Sequence, residues 1–190
     1  MIKIIENLTF GLGKPCVMDI KIGKITYGLD ASQAKIDRES MSYSGTKIPF
    51  GFSVLGIIAH SDQGFRRLTK AFGKSLDEST IDDILDNFLN VNSTYANNLA
   101  QSFLVKLKEV EEFFSTQKTY RVFASSVLFA YDYENLDKVD WSKTNPVRVN
   151  LIDFAHIFPG NGDIDHNYLF GLQNIKLLFE KFICMNTKCL

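Results

Sequence analysis

Residues 15–23 read Pro-Cys-Val-Met-Asp-Ile-Lys-Ile-Gly, an apolar run of strand character interrupted by one acid and one base. Successive side chains of a strand point to opposite faces. Met18, Ile20 and Ile22 therefore share a core face, while Asp19 and Lys21 project together from the other. Such a pair is either a surface ion pair on a half-buried strand or one wall of a site that holds a hydroxylated ligand and a phosphate.

The rest of the pattern predicts a mixed order of elements. Residues 1–6 read as a short strand and 7–14 as a turn-rich stretch. A short polar helix starts at Asp30 or Ser32 as N-cap and runs to about Met41, with residues 42–46 breaking it. Residues 51–58 form a buried-type strand with close backbone approach at its glycines. Ser75-Leu76-Asp77-Glu78 has the form of a capping box, with Ser75 as N-cap of a helix that presents Ile81, Ile84, Leu85, Phe88 and Leu89 on one face. A longer helix spans about 95–117, with Leu99, Phe103, Leu107, Val110 and Phe114 as its buried stripe. Residues 121–133 read as one strand, 147–154 as another, and 166–183 as a closing helix. Strands, then helices, then a strand pair and a final helix make an α+β domain.

Composition narrows the function classes. The 190 residues suffice for one domain with a substantial core, and 45% hydrophobic with 13% aromatic content is ordinary for a soluble globular chain. No apolar run approaches the roughly 20 residues needed to span a bilayer, and the N-terminus has no signal-peptide pattern. Three cysteines, Cys16, Cys184 and Cys189, show no metal-ligand spacing with histidine and favour a reducing compartment, cytoplasmic or nuclear, in which the sequon at Asn92 carries no sugar. The net charge is −1, too little for a dedicated nucleic-acid binder. Its distribution is uneven: basic residues prevail from Lys14 to Lys74 and acidic ones from Asp77 to Glu112. The basic third is either a solvated surface or a region that gathers a polyanion.

A second acid sits in a telling place. Asp153 ends the apolar run 149–152 beside a turn, where it either caps that turn or serves as a hard oxygen ligand for Mg²⁺ on a bound phosphate.

Together these segments resemble the inositol polyphosphate kinases. Residues 15–23 look like the family's Pro-x-x-x-Asp-x-Lys-x-Gly motif, residues 124–128 (Ala-Ser-Ser-Val-Leu) are similar to its Ser-Ser-Leu-Leu strand, and Ile152-Asp153-Phe154-Ala155-His156 matches its Ile-Asp-Phe-Ala-His motif. Gly51-Phe52 with Leu55-Gly56, residues 73–76 and residues 168–172 follow in the family's order, so the resemblance runs from Ile2 to about Phe182. It implies a protein-kinase-like fold with ATP in a cleft between two lobes, and ATP with Mg²⁺ as cofactors. Glu6, Asn7 and Leu8 look like the hinge that reads the adenine edge. Asp19 would accept from the ribose hydroxyls, Lys21 would contact the transferred phosphate and the substrate, and Asp153 would hold Mg²⁺. Lys35, in a segment similar to the family's Ala-Ser-x-x-Lys, Arg38 one turn later, and His156 would bind the phosphates of a soluble inositol polyphosphate. Lys35 and Arg38 at i and i+3 can share a helix face.

The implied layout is a single catalytic domain over 1–190: 1–10 as the last N-lobe strand and hinge, 11–190 as the C-lobe, with the inositol-binding segment at about 28–50. The compact span between Gly23 and Gly51 favours a multikinase-like or hexakisphosphate-kinase-like member. The upstream sheet of the family, with its second ATP-binding lysine, has no counterpart in this chain; Lys3 is in the wrong strand. The expectation is a shortened reading of the gene, a missing upstream exon, or a protein that has lost ATP turnover, and slow phosphate transfer with poor solubility for this chain alone. The alternative function is a non-catalytic module that binds inositol phosphates or phosphoinositides through Lys35 and Arg38. No stable membrane anchoring and no nucleic-acid partner are expected.

Overall fold

Alternation along Pro15–Ile22 builds β1, the central strand of a five-stranded antiparallel sheet. The computed structural model describes residues 6–187, so the predicted strand over 1–6 lies, up to Ile5, outside the described residues, as does Cys189. Cys16, Met18, Ile20 and Ile22 are fully buried, whereas Val17, Asp19 and Lys21 face the opposite side, half-buried.

After β1 come helices α1 (Gln33–Met41) and α2 (Ser44–Phe50), strands β2 (Phe52–Ser61) and β3 (Gly64–Leu68), and helices α3 (Lys70–Ser75), α4 (Asp83–Phe88) and α5 (Ala96–Thr116). Strands β4 (Tyr120–Phe123), β5 (Ser126–Asp132), β6 (Arg148–Ile152) and β7 (His156–Pro159) follow, and α6 (His166–Thr187) closes the chain. The large sheet has the order β3-β2-β1-β5-β6; β4 and β7 pair separately as a two-stranded ribbon. The α+β prediction holds.

The core lies between the buried face of the large sheet and the helices. Phe103 of α5 meets Phe129 of β5 and Phe179 of α6 at ring-centroid distances of 5.6 and 5.7 Å, and Phe88 of α4 adds a 5.5 Å contact to Phe103. Edge-on and offset aromatic packing of this kind stabilises beyond the area it buries. It leaves the other face of the sheet free to carry chemistry.

Four expectations need correction. The run 121–133 is two strands in two sheets: Ala124 adopts a left-handed φ of 58° and breaks it, and the Ser125 carbonyl then accepts from the Ile22 N–H at 3.0 Å. Apolar patterning is blind to such a turn, because Val122 and Phe123 before it and Ser125 to Val127 after it are all buried. Ser75 is not an N-cap; it ends α3, its hydroxyl donating to the Phe72 carbonyl at 2.8 Å. The polar groups after it form a local turn, with Asp77 accepting from the N–H groups of Ser79 and Thr80, and the helix starts only at Asp83. Residues 42–46 do not simply break the chain: Ser42 caps the end of α1, and Tyr43, with φ 57°, launches α2. Strands β3 and β7 and helix α3 were not anticipated.

Candidate active site

The open face of the large sheet is arranged around Asp19. On β2 the partner of Asp19 is Gly56, and the register slips there because Leu55 bulges out of the ladder. A residue without a side chain beside Asp19, next to a bulge, leaves space above the carboxylate. On β5 its partner is Leu128. The result is a cleft of about 520 Å³ whose walls include Val17, Leu55, Ile58, Leu68 and Leu128, with Asp19, Arg67, Lys70 and Asp153 as its charged groups.

Asp153 enters the cleft through backbone geometry. It follows the last residue of β6 and adopts a φ of 65°, a conformation that aspartate tolerates better than most residues. Strained positions of this type cluster at functional sites.

Asp19 is strongly marked by its surroundings. Its Oδ1 is buried without a hydrogen-bond partner. Burial pushes its carboxyl up; the Ser126 hydroxyl opposes this, the Asp153 charge adds to it, and Lys21 and Lys70 pull the other way. A buried carboxylate oxygen with an empty valence costs stability unless a donor arrives.

A second cleft of about 550 Å³ adjoins the first. Lys21, Arg38, Lys70 and Lys74 line it with Glu39, Tyr43 and Leu55. Leu55 and Lys70 belong to both clefts, so the two meet at the bulge and at the start of α3. The cation surplus there suits a polyphosphate.

Ser32 caps α1, as one of the two predicted N-caps, its side chain accepting from the Lys35 N–H. That helix carries Arg38 into the second cleft. Lys35 does not line either cleft. It meets His156 instead, Nζ to Nε2 at 3.4 Å, because the unanticipated β7 pairs His156 with Phe123 of β4. Glu6 and Leu8 line a third cleft with Asn150 of β6, and Arg148 Nη1 donates to the carbonyls of Leu8 at 2.7 Å and Phe10 at 3.1 Å. Sequence reasoning gave no site role to Arg67, Lys70 or Arg148, which carry no local signal beyond their charge, nor to Lys74, although it lies in the segment 73–76 that resembles the family.

The residues fit a magnesium nucleotide. The unpaired Asp19 Oδ1 is an acceptor waiting for a hydroxyl, and Asp153 offers the hard oxygen that Mg²⁺ prefers. Among the described residues no group of three or more His, Cys, Asp or Glu could hold a metal by itself. An ion held there would complete its shell from phosphate and water, as Mg²⁺ commonly does.

A family profile for inositol polyphosphate kinase matches residues 2–180. The chain is 34% identical over 176 residues to the inositol polyphosphate multikinase of Schizosaccharomyces pombe, covering 90% of this chain and 65% of the relative. It is 31% identical over 185 residues to inositol polyphosphate multikinase alpha of Arabidopsis thaliana, covering 89% and 64% respectively. The chain thus spans a little under two thirds of the length of these curated relatives. A solved inositol phosphate multikinase superposes with a TM-score of 0.80 at 28% identity, over 94% of this chain and 84% of that one. The fold of Saccharomyces cerevisiae inositol phosphate multikinase Ipk2, solved with ADP and Mn²⁺, is also shared, with a TM-score of 0.78 at 24% identity over 94% and 82% of the two chains. With the family profile matched over residues 2–180 and the fold matched over nearly its whole length, the chain belongs to the inositol polyphosphate kinase family.

Proposed function

We propose that this chain performs ATP- and Mg²⁺-dependent phosphorylation of soluble inositol polyphosphates, as a multikinase-type or hexakisphosphate-kinase-type member of its family. The observation that carries this reading is the junction of the two clefts. A carboxylate oxygen with no partner and a second acid lie on one side, and a group of cations lies on the other.

In this reading Asp19 accepts from the ribose hydroxyls and Asp153 holds Mg²⁺. The backbone at Glu6, Asn7 and Leu8, fixed by Arg148, meets the adenine edge. Bound there, Mg²⁺ neutralises charge on the nucleotide phosphates. Lys70, which lines both clefts, and Lys21 of the second offset the charge that builds on the phosphoryl group in flight. A substrate oxygen forms the new P–O bond as the bond to the ADP leaving oxygen breaks; ADP departs with that oxygen, and the proton of the attacking hydroxyl passes to water. Most of the acceleration then comes from alignment and charge. Arg38 in the second cleft and the Lys35–His156 pair take the other phosphates of the acceptor.

The domain layout follows: a single catalytic domain in which the segment up to about residue 10 is the end of the N-lobe and the hinge, 11–190 is the C-lobe, and α1 and α2 form the inositol-binding segment at about 28–50. Among the described residues no helix is long and apolar enough to cross a membrane. A cytoplasmic or nuclear site of action fits a soluble substrate.

The test is to incubate the chain with Mg·ATP and a panel of inositol polyphosphates and to separate the products by anion exchange. A product bearing one more phosphate, formed only with Mg²⁺, is the expected result. Binding of the panel without any product overturns the kinase reading in favour of a binding module.

A further inference from the structure

Helix α1 carries Lys35 and Arg38, yet none of its nine residues is buried. It has no apolar stripe to dock on the sheet, and an isolated helix this short is marginal in water. Polar tethers must therefore set its position. Two of them converge on Glu39 in the last turn: Thr26 Oγ1 donates to Glu39 Oε2 at 3.2 Å, and Lys47 Nζ donates to the Glu39 carbonyl. Both donors are buried, Thr26 at 3% and Lys47 at 2% exposure.

A buried ammonium is costly unless its N–H groups meet acceptors, and the Glu39 carbonyl at the end of α1 is such an acceptor. The last turn of a helix is also where a cation is favoured, since its carbonyls carry the negative end of the dipole. Lys47 belongs to α2, which runs directly into β2 and the cleft face. The Lys47 clamp therefore couples the position of α1 to the rigid sheet. Burial and the nearby Lys21 push the Lys47 ammonium down, while Glu39 opposes them.

We propose that Lys47 is a positioning residue: by holding the last turn of α1 against α2, it orients Lys35 and Arg38 toward the phosphates of the acceptor. Lys47 does this without touching the nucleotide, so its loss separates the two ligands. The inference rests on the kinase reading above.

The test is calorimetry on the full chain with inositol tetrakisphosphate and, separately, Mg·ADP. Lys47→Met keeps the length of the side chain but removes the donor; Thr26→Val removes the second donor at nearly constant shape. The expected result for each variant is a loss of tenfold or more in affinity for inositol tetrakisphosphate, with Mg·ADP binding within twofold of wild type. Unchanged inositol tetrakisphosphate binding overturns the proposal, and so does an equal loss of both ligands, which marks a merely structural role. If Lys47→Met does not fold, Thr26→Val decides by the same two outcomes. A wild-type chain that binds neither ligand gives a different result: it overturns the kinase reading itself, and the proposal with it.

Discussion

Lys35 and His156 stand 121 residues apart in sequence, and their side-chain nitrogens are 3.4 Å apart. An ammonium can only donate, so His156 Nε2 is the acceptor, and a phosphate arriving here would take the place of that contact. The motifs that carry them lie far apart in the chain; α1 presents Lys35, and the short ribbon of β4 and β7 holds His156 beside it.

This contact makes the two residues one unit. Lys35→Met and His156→Gln should each raise KM for the inositol polyphosphate by about 5–20-fold and leave KM for ATP alone. Residues in direct contact are coupled, so the double variant should fall short of the product of the two effects. Steady-state kinetics on the four proteins checks this; fully multiplicative effects would mean that the two side chains act apart.

Asp19 predicts a trade of stability for binding. Its carboxyl is raised in the folded state, mainly by burial, so between its ordinary value of 3.8 and that raised value the folded protein holds more protons than the unfolded one. The stability contribution is complete below the ordinary value and is lost as pH rises through the folded one. Asp19→Asn cannot ionise, and above that interval it should melt higher than the wild type by ~2–4 °C, about 1 kcal/mol for a domain of this size. The same variant should lose nucleotide affinity, and wild-type affinity should rise with pH over the interval in which Asp19 ionises. Thermal melts and ADP titrations across pH check both; a variant that melts lower at neutral pH would show that the buried oxygen is not an unmet cost.

Lys70 lines both clefts, and its charge acts on Asp19. Lys70→Met should lower kcat by about 10²-fold, the scale found when one preorganised group facing the transferred charge is lost. Neither KM should rise as far. Rapid-quench and steady-state rates decide it, and a change confined to KM would reduce Lys70 to a ground-state contact.

Much of this site was legible in the chain. The alternation in residues 15–22 announced a strand with one buried face, and β1 has that form, with Asp19 and Lys21 on the open side. Ser32 announced the start of α1. What escaped had weak or conflicting local signals. β3, Gly-Phe-Arg-Arg-Leu, is an exposed edge strand whose charges suppress any alternation. α3 contains Gly73, which reads as a breaker; it is there because α3 lies so close to the Val54 carbonyl that a Cβ would collide with it. Ala124 turns the chain within an unbroken apolar run. Lys70 and Lys47 looked like ordinary charged residues, and only the meeting of α2 and α3 with the sheet gives them a setting.

The central claim, phosphoryl transfer supported by a metal at Asp153, is tested most directly by the initial rate of labelled phosphate transfer from ATP to an inositol polyphosphate, with and without Mg²⁺, for the wild type and Asp153→Asn. The account predicts Mg²⁺-dependent transfer by the wild type and a fall of about 10³-fold or more for Asp153→Asn, since the metal carries several kcal/mol of transition-state stabilisation. An Asp153→Asn protein as fast as the wild type, or a wild-type rate indifferent to Mg²⁺, would contradict it.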